Sequence, residues 1–186
     1  MKHKDRDKRT EIRLAGEGGQ GMILAGIILA EAAAIYDGKN AVQTQSYGPE
    51  ARGGTSKSEV VISEEAIDYP KVISADILVA TSQEACDKYT GLMARGGLLI
   101  VDKDQVGRVL VHQAVRAPIS RLAAEVVGQP ITANVVALGV LVGLSGVVSR
   151  EAIEKAVLAR APRGTEEINR AALAVGFAEA ARIAGG

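Results

Sequence analysis

Short apolar runs alternate along this chain with longer, helically spaced ones. Glu11 to Ala15 mixes apolar and charged positions before Gly16 to Gly21 breaks the pattern, which predicts a short strand entering a glycine-rich turn. Met22 to Tyr36 is rich in Ala, Ile and Leu and is closed by Asp37-Gly38, so it predicts a long buried helix. Ala41 to Thr44 reads as a second strand, Ser46 to Thr55 as a loop, and Lys57 to Ser63 as a further strand with Val60 and Ile62 on one face. The compact apolar runs Ile77 to Ala80 and Leu98 to Val101 predict buried parallel strands. Between them a helix is expected over Gln83 to Met93, with Ser82 placed to cap it. Val109 to His112 reads as another strand, and helices are expected over Ile119 to Val127, Asn134 to Leu144, Arg150 to Arg160 and Glu166 to Ile183. This alternation predicts an α/β fold. It should have an open, mostly parallel sheet with helices on both faces and a Rossmann-like first strand–turn–helix. Residues 10–186 read as a single domain, and the charged residues 1–9, which lack the apolar core of a secretory signal, as a flexible tail.

Composition narrows the chemistry. The 186 residues carry 22 Lys plus Arg against 22 Asp plus Glu, so no net field draws nucleic acid to the chain. One Phe, four Tyr and no Trp leave little surface for base stacking. Cys86 is the sole cysteine, which rules out an internal disulfide and any zinc site or iron–sulfur cluster built from several thiolates of this chain alone. A lone thiol suits a reducing cytoplasm. The most apolar stretch, Ile131 to Val148, falls short of the ~20 residues that cross a bilayer and carries Asn134 and Ser145, so it reads as a buried helix rather than a span.

Candidate chemistry concentrates in two loops. Gly16-Glu17-Gly18-Gly19-Gln20-Gly21 matches the spacing of the dinucleotide fingerprint, and its glycines let the backbone approach a ligand at a helix N-terminus. The fingerprint also wants an acidic residue at the end of the second strand, and here that strand runs into Gln43-Thr44-Gln45. Three readings therefore stand: a dinucleotide, another anion, or a tight turn that holds nothing. Glu17 sits beside the turn, where its carboxylate would repel a phosphate. The second loop, Ser46 to Thr55, gathers hydroxyls, one carboxylate and one guanidinium, and Arg52 has the fork to clamp a carboxylate or phosphate. A plain surface loop with an internal Glu50–Arg52 ion pair fits those residues equally well. Gly139 and Gly143 lie on one helix face and point to tight helix packing within the chain, or else to a subunit seam. Asn134 reads as a helix cap or a satisfied buried amide, and His3 and His112 form no cluster.

The two loops together resemble the gamma subunits of 2-oxoacid:ferredoxin oxidoreductases. The resemblance runs through Ala15 to Gly21, Ser46 to Gly54, Asn134 to Gly139 and Glu166 to Asn169, in the family's order and over nearly the whole chain. It implies that residues 10–186 form a gamma-type domain of an enzyme that decarboxylates a 2-oxoacid, joins the acyl group to coenzyme A and passes electrons to ferredoxin. It implies partners, the alpha and beta subunits with a delta subunit as a further candidate, which bring thiamine diphosphate and the iron–sulfur cluster. Within this chain it implies cofactor contacts at Gly16, Gly18, Gly19, Gln20, Gly21 and Arg52, and a partner or active-site loop at Tyr47, Gly48, Pro49, Glu50, Arg52, Gly53 and Gly54. No catalytic residue and no metal ligand is assigned, and the chain is expected to be inactive alone. Ala51 to Ser56 lacks the second Arg and the Ala-Pro ending of similar pyruvate-type proteins and looks more like the 2-oxoglutarate or branched-chain types, of which 2-oxoglutarate is the expectation. The alternative is a stand-alone nucleotide- or anion-binding α/β protein.

Overall fold

The computed structural model describes residues 9–47, 54–110 and 113–186. The first strand, β1 (Arg9–Glu17), sends Ile12 and Leu14 to one face and Glu11, Arg13 and Ala15 to the other. It turns through Gly18–Gln20 into helix α1 (Met22–Glu31), whose last turns widen to a π-helical segment, Ala32–Tyr36. Strands β2 (Asn40–Ser46) and β3 (Thr55–Ser63) follow, then β4 (Ala75–Ala80), helix α2 (Gln83–Tyr89) and β5 (Met93–Asp102). A short edge strand, β6 (Ala114–Ala117), leads to helix α3 (Ile119–Arg121), extended as a π-helical segment over Leu122–Val127. Helices α4 (Ala133–Ser145), α5 (Arg150–Arg160) and α6 (Glu166–Ala184) complete the chain.

The strands form one six-stranded sheet in the order β2-β3-β1-β4-β5-β6. β3 pairs antiparallel with both β1 and β2, while β1–β4, β4–β5 and β5–β6 are parallel, so β3 alone among these strands runs against the rest. The mostly parallel sheet expected from the alternation is therefore present. The Rossmann-like strand–turn–helix is present too, but β3 is inserted between β1 and β2. From β1 the chain crosses toward β2 on one side, and from β4 it crosses toward β5 on the other. The carboxyl ends of β1 and β4 thus flank the point where the connections diverge, which is where open α/β sheets hold ligands.

Both faces carry helix. The larger core packs Ile12, Leu14, Val60, Ile62, Val79 and Ile100 beneath α1, α4, α5 and α6. The smaller packs Ala15, Leu78 and Val101 beneath Ala85, Cys86 and Tyr89 of α2. Burial and the neighbouring Asp87 charge push the Cys86 thiol up, against a smaller pull from Arg116, so it is held as a neutral core group. On that second face Arg13, 3% exposed, places Nε and Nη2 on Glu59 Oε1 at 2.9 and 2.7 Å, and Lys57 Nζ reaches the same oxygen at 2.8 Å. Burial raises the pKa of Glu59, but the bonds and charges of Lys57 and Arg13 outweigh it and hold the carboxyl below its ordinary value.

The glycines of α4 serve the helix packing read from their spacing. A Cβ at Gly139 would lie 2.5 Å from Leu173 O, one at Gly143 2.5 Å from Ala180 Cβ, and one at Gly176 2.3 Å from Val136 O. The α4 and α6 backbones therefore touch. Three expectations change. The helix after Ser82 ends at Tyr89, with a 3-10 turn over Thr90–Leu92, because Met93 already opens β5. Ser82 does cap it, accepting from Ala85 N at 3.2 Å. The strand read over Val109 to His112 is displaced: Val109 and Leu110 lie in a loop, residues 111 and 112 are outside the described set, and the edge strand is Ala114–Ala117. The Gln83 side chain explains the shift. It accepts from Gly107 N and Arg108 N and donates to Arg108 O, which ties this stretch to α2 instead of β5. At the other end β1 begins at Arg9, the last residue of the expected tail, and its guanidinium bonds to Tyr69 O and Lys71 O.

Candidate functional site

The glycine-rich turn is built around Gln20. Its Oε1 accepts from Glu17 N at 2.8 Å and from the Thr81 hydroxyl at 2.7 Å, and its Nε2 donates to Thr81 O at 3.3 Å. One side chain thus clamps the end of β1 to the end of β4. Gly16 makes room for it, because a Cβ there would sit 2.1 Å from Thr81 Oγ1 and 2.3 Å from Gln20 Oε1. Gly21 opens α1 in the left-handed region, at φ 74°, with no side-chain cap on the helix. Asn134, 6% exposed, packs against it, donating to Gly21 O at 3.4 Å and accepting from Val135 N at 3.0 Å. Of its two readings, the satisfied buried amide holds.

The second loop meets the first. Gly18 N donates to Gly54 O at 3.2 Å, so Gly16, Gly18, Gly19, Gln20, Gly21 and Gly54 share the carboxyl edge of the sheet. Tyr47 follows β2 at the same edge and is 69% exposed. Gly48, Pro49, Glu50, Arg52 and Gly53 lie outside the described residues.

A cavity of about 330 Å³ opens at the divergence of the connections, between the glycine-rich turn and the start of α4. Its apolar wall comes from Met22, Ile119, Pro130, Ile131 and Ala133. Gln20, Thr81 and Ser120 supply the polar wall, and among the described residues no Lys, Arg or His lines it. One side carries the N-terminus of α1, whose first amides have no partner within the helix and attract carbonyl or anionic oxygen. The other side carries hydroxyls. Buried Asp102, at the end of β5, accepts from Ser120 N at 2.9 Å and from the Ser120 hydroxyl. Exposed Ile131 stands at the mouth, 85% accessible. Thr81, Ser120 and Asp102 were not singled out from the sequence. The available signal was position: Thr81 and Asp102 close parallel strands at the carboxyl edge, and Ser120 opens the next helix.

Among the described residues, no three His, Cys, Asp or Glu side chains gather as a metal site, and no helix is long and apolar enough to cross a membrane. The geometry also bears on the dinucleotide reading. With β3 between β1 and β2, the strand end that would carry a ribose-binding acid is displaced from the glycine-rich turn.

A family description, pyruvate ferredoxin/flavodoxin oxidoreductase, matches residues 11–179. The chain belongs to this family. Within the family it is of the gamma-subunit type. It is 55% identical over 173 residues to the 2-oxoglutarate synthase subunit KorC of Methanocaldococcus jannaschii, an alignment covering 91% of this chain and 92% of that one. A family member of known structure, the keto/oxoacid ferredoxin oxidoreductase gamma subunit of Geobacter sulfurreducens, superposes with a TM-score of 0.87 at 52% identity, covering 94% of this chain and 98% of that chain. The fold also recurs within a longer family chain, the 2-oxoglutarate:ferredoxin oxidoreductase of Magnetococcus marinus solved with 2-oxoglutarate, coenzyme A and succinyl-CoA. There the TM-score is 0.83 at 25% identity, and the match covers 94% of this chain and 31% of that one.

Proposed function

We propose that this chain is the gamma subunit of a multi-subunit 2-oxoglutarate:ferredoxin oxidoreductase, and that its carboxyl edge is the wall against which coenzyme A lies. In that reaction 2-oxoglutarate loses carbon dioxide, the succinyl group joins the coenzyme A sulfur, and the electrons released leave for ferredoxin. The 2-oxoglutarate specificity rests on the likeness to KorC and on the Ala51 to Ser56 sequence. Thiamine diphosphate, which supplies the decarboxylation chemistry, and the iron–sulfur cluster, which carries the electrons, belong in this reading to alpha, beta and delta partners. Cys86 is a single buried thiol and cannot ligate a cluster by itself. The complex works in the cytoplasm, whose reducing conditions a free thiol suits.

The observation that carries the reading is the uncharged cavity where the connections diverge. A phosphate would want cations there, and none lines it among the described residues. A neutral amide chain fits better: its carbonyls meet the free amides of α1, and its N–H groups meet hydroxyl oxygens. The amide-bearing arm of coenzyme A has that chemistry, and Arg52 carries the fork that suits its phosphates. In this reading Tyr47, Gly48, Pro49, Glu50, Arg52, Gly53 and Gly54 are the residues that meet the partner subunits, and exposed Leu24, Tyr47 and Ile131 give the carboxyl edge an apolar rim. The test is calorimetric titration of coenzyme A into the assembled enzyme with the oxoacid omitted. Ala133→Phe, which fills the cavity, should abolish binding, whereas unchanged affinity would remove the cavity from the account. Arg52→Ala should weaken assembly or coenzyme A binding by about 2–5 kcal/mol while leaving the lone subunit's melting point nearly unchanged. A strongly destabilised lone subunit would make the loop structural instead.

A further inference from the structure

Asp102 is fully buried at the end of β5. Its Oδ2 accepts both the backbone N–H and the hydroxyl of Ser120, and its Oδ1 accepts from Asp104 N at 3.2 Å. Both Asp102 oxygens act as acceptors in these bonds, and a serine hydroxyl has one hydrogen to donate. The Ser120 hydroxyl spends that hydrogen in a bond to Asp102, so what it can still offer the cavity it lines is a lone pair. Thr81 is in the same state. Its hydroxyl proton goes to Gln20 Oε1 at 2.7 Å, with Ala15 O at 3.3 Å as the alternative acceptor, and it too lines the cavity. Two hydroxyls, both spent as donors, thus border an uncharged space. An oxyanion meeting them would find acceptors only.

We propose that Asp102 is a positioning residue that fixes Ser120 as a hydrogen-bond acceptor, so that Ser120 and Thr81 make the cavity a reader of N–H groups. The ligand class is a secondary amide, and within coenzyme A the group read is an amide N–H of the pantetheine arm. This rests on the carboxyl edge being the coenzyme A wall.

The probe is a pair of coenzyme A analogues in which one or the other pantetheine amide N–H is replaced by an ester oxygen. The carbonyl is kept, so only the donor is lost. Each is titrated calorimetrically into the assembled enzyme without oxoacid, alongside coenzyme A itself. In the wild type one of the analogues should bind about tenfold to a hundredfold more weakly than the amide, because an ester oxygen faces an acceptor with its own lone pairs. Ser120→Ala should bring that ratio down severalfold. Asp102→Ala should do the same with Ser120 still present, since the freed hydroxyl can rotate to donate. Asp102→Asn should restore most of the discrimination, because its amide oxygen can still take both Ser120 donors. A role confined to folding would move affinities for amide and ester together and leave the ratio alone. Equal binding of amide and esters by the wild type, or a ratio untouched by Ser120→Ala, overturns the proposal. If Ala133→Phe abolishes coenzyme A binding and the ratios are nevertheless flat, the coenzyme A wall stands and the polarity claim fails. If Ala133→Phe changes nothing, both fall.

Discussion

Glu59 takes three hydrogen bonds on one oxygen, two from Arg13 and one from Lys57, on a sheet face where Arg13 is almost wholly buried. The Arg13 Nη1 is already buried without a hydrogen-bond partner among the described residues. Removing the carboxylate would leave the whole guanidinium unpaired, so Glu59→Ala should cost about 3–5 kcal/mol at neutral pH, read from denaturant unfolding of the isolated subunit. The folded state holds the Glu59 pKa below its unfolded value. Its contribution is therefore complete above the unfolded pKa and is lost as pH falls through the folded one. The gap between wild type and variant should be full at pH 7 and should close in the acid range below the ordinary carboxylate pKa. A gap that is independent of pH would mean that packing, not charge, is what Glu59 supplies. At the turn, Gly16→Ala must displace the Gln20 and Thr81 side chains, and it should lower stability by about 1–3 kcal/mol while loosening the cavity wall. An unaltered unfolding midpoint would show that the clamp is dispensable.

Elements were legible in the sequence wherever hydrophobic period and punctuation agreed. β1, α1, α5 and the two buried parallel strands fall where alternation, Asp37-Gly38 and the compact apolar runs put them. The misplaced strand has the opposite character. Val109 and Leu110 look like strand residues, yet Leu110 is 76% exposed and the loop is captured by Gln83, a long-range side-chain bond with no local signature. β3 lying between β1 and β2 was equally invisible, because strand order is fixed by tertiary pairing and not by period. Helix contact could be read from small residues: Gly139 and Gly143 announce a close approach, and Gly176 supplies the other half. Gly176→Ala would drive a Cβ into the Val136 carbonyl, and backbone cannot swing aside as a side chain can. It should cost about 2 kcal/mol or more, lowering the melting temperature by about 4–8 °C. A smaller shift would mean that α6 slides without penalty.

At the scale of the whole molecule, the two glycine-bearing loops are distant in sequence but converge on one edge, tied by the Gly18–Gly54 bond. The sequence pattern supplied those loops and their family. It did not supply the cavity between them, because Thr81, Asp102 and Ser120 matter only through the sheet order that brings three strand ends together. The chain is of a subunit type, and the proposed function gives that edge, with its exposed apolar rim, to the assembly. The decisive measurement is reconstitution. Separately purified alpha, beta and delta subunits are mixed with and without this chain, and reduction of ferredoxin dependent on 2-oxoglutarate and coenzyme A is followed. The lone chain should give no turnover, and full coenzyme A-dependent turnover should appear only when it joins the others. Turnover by this chain alone, or undiminished turnover by the others without it, would contradict the proposed function.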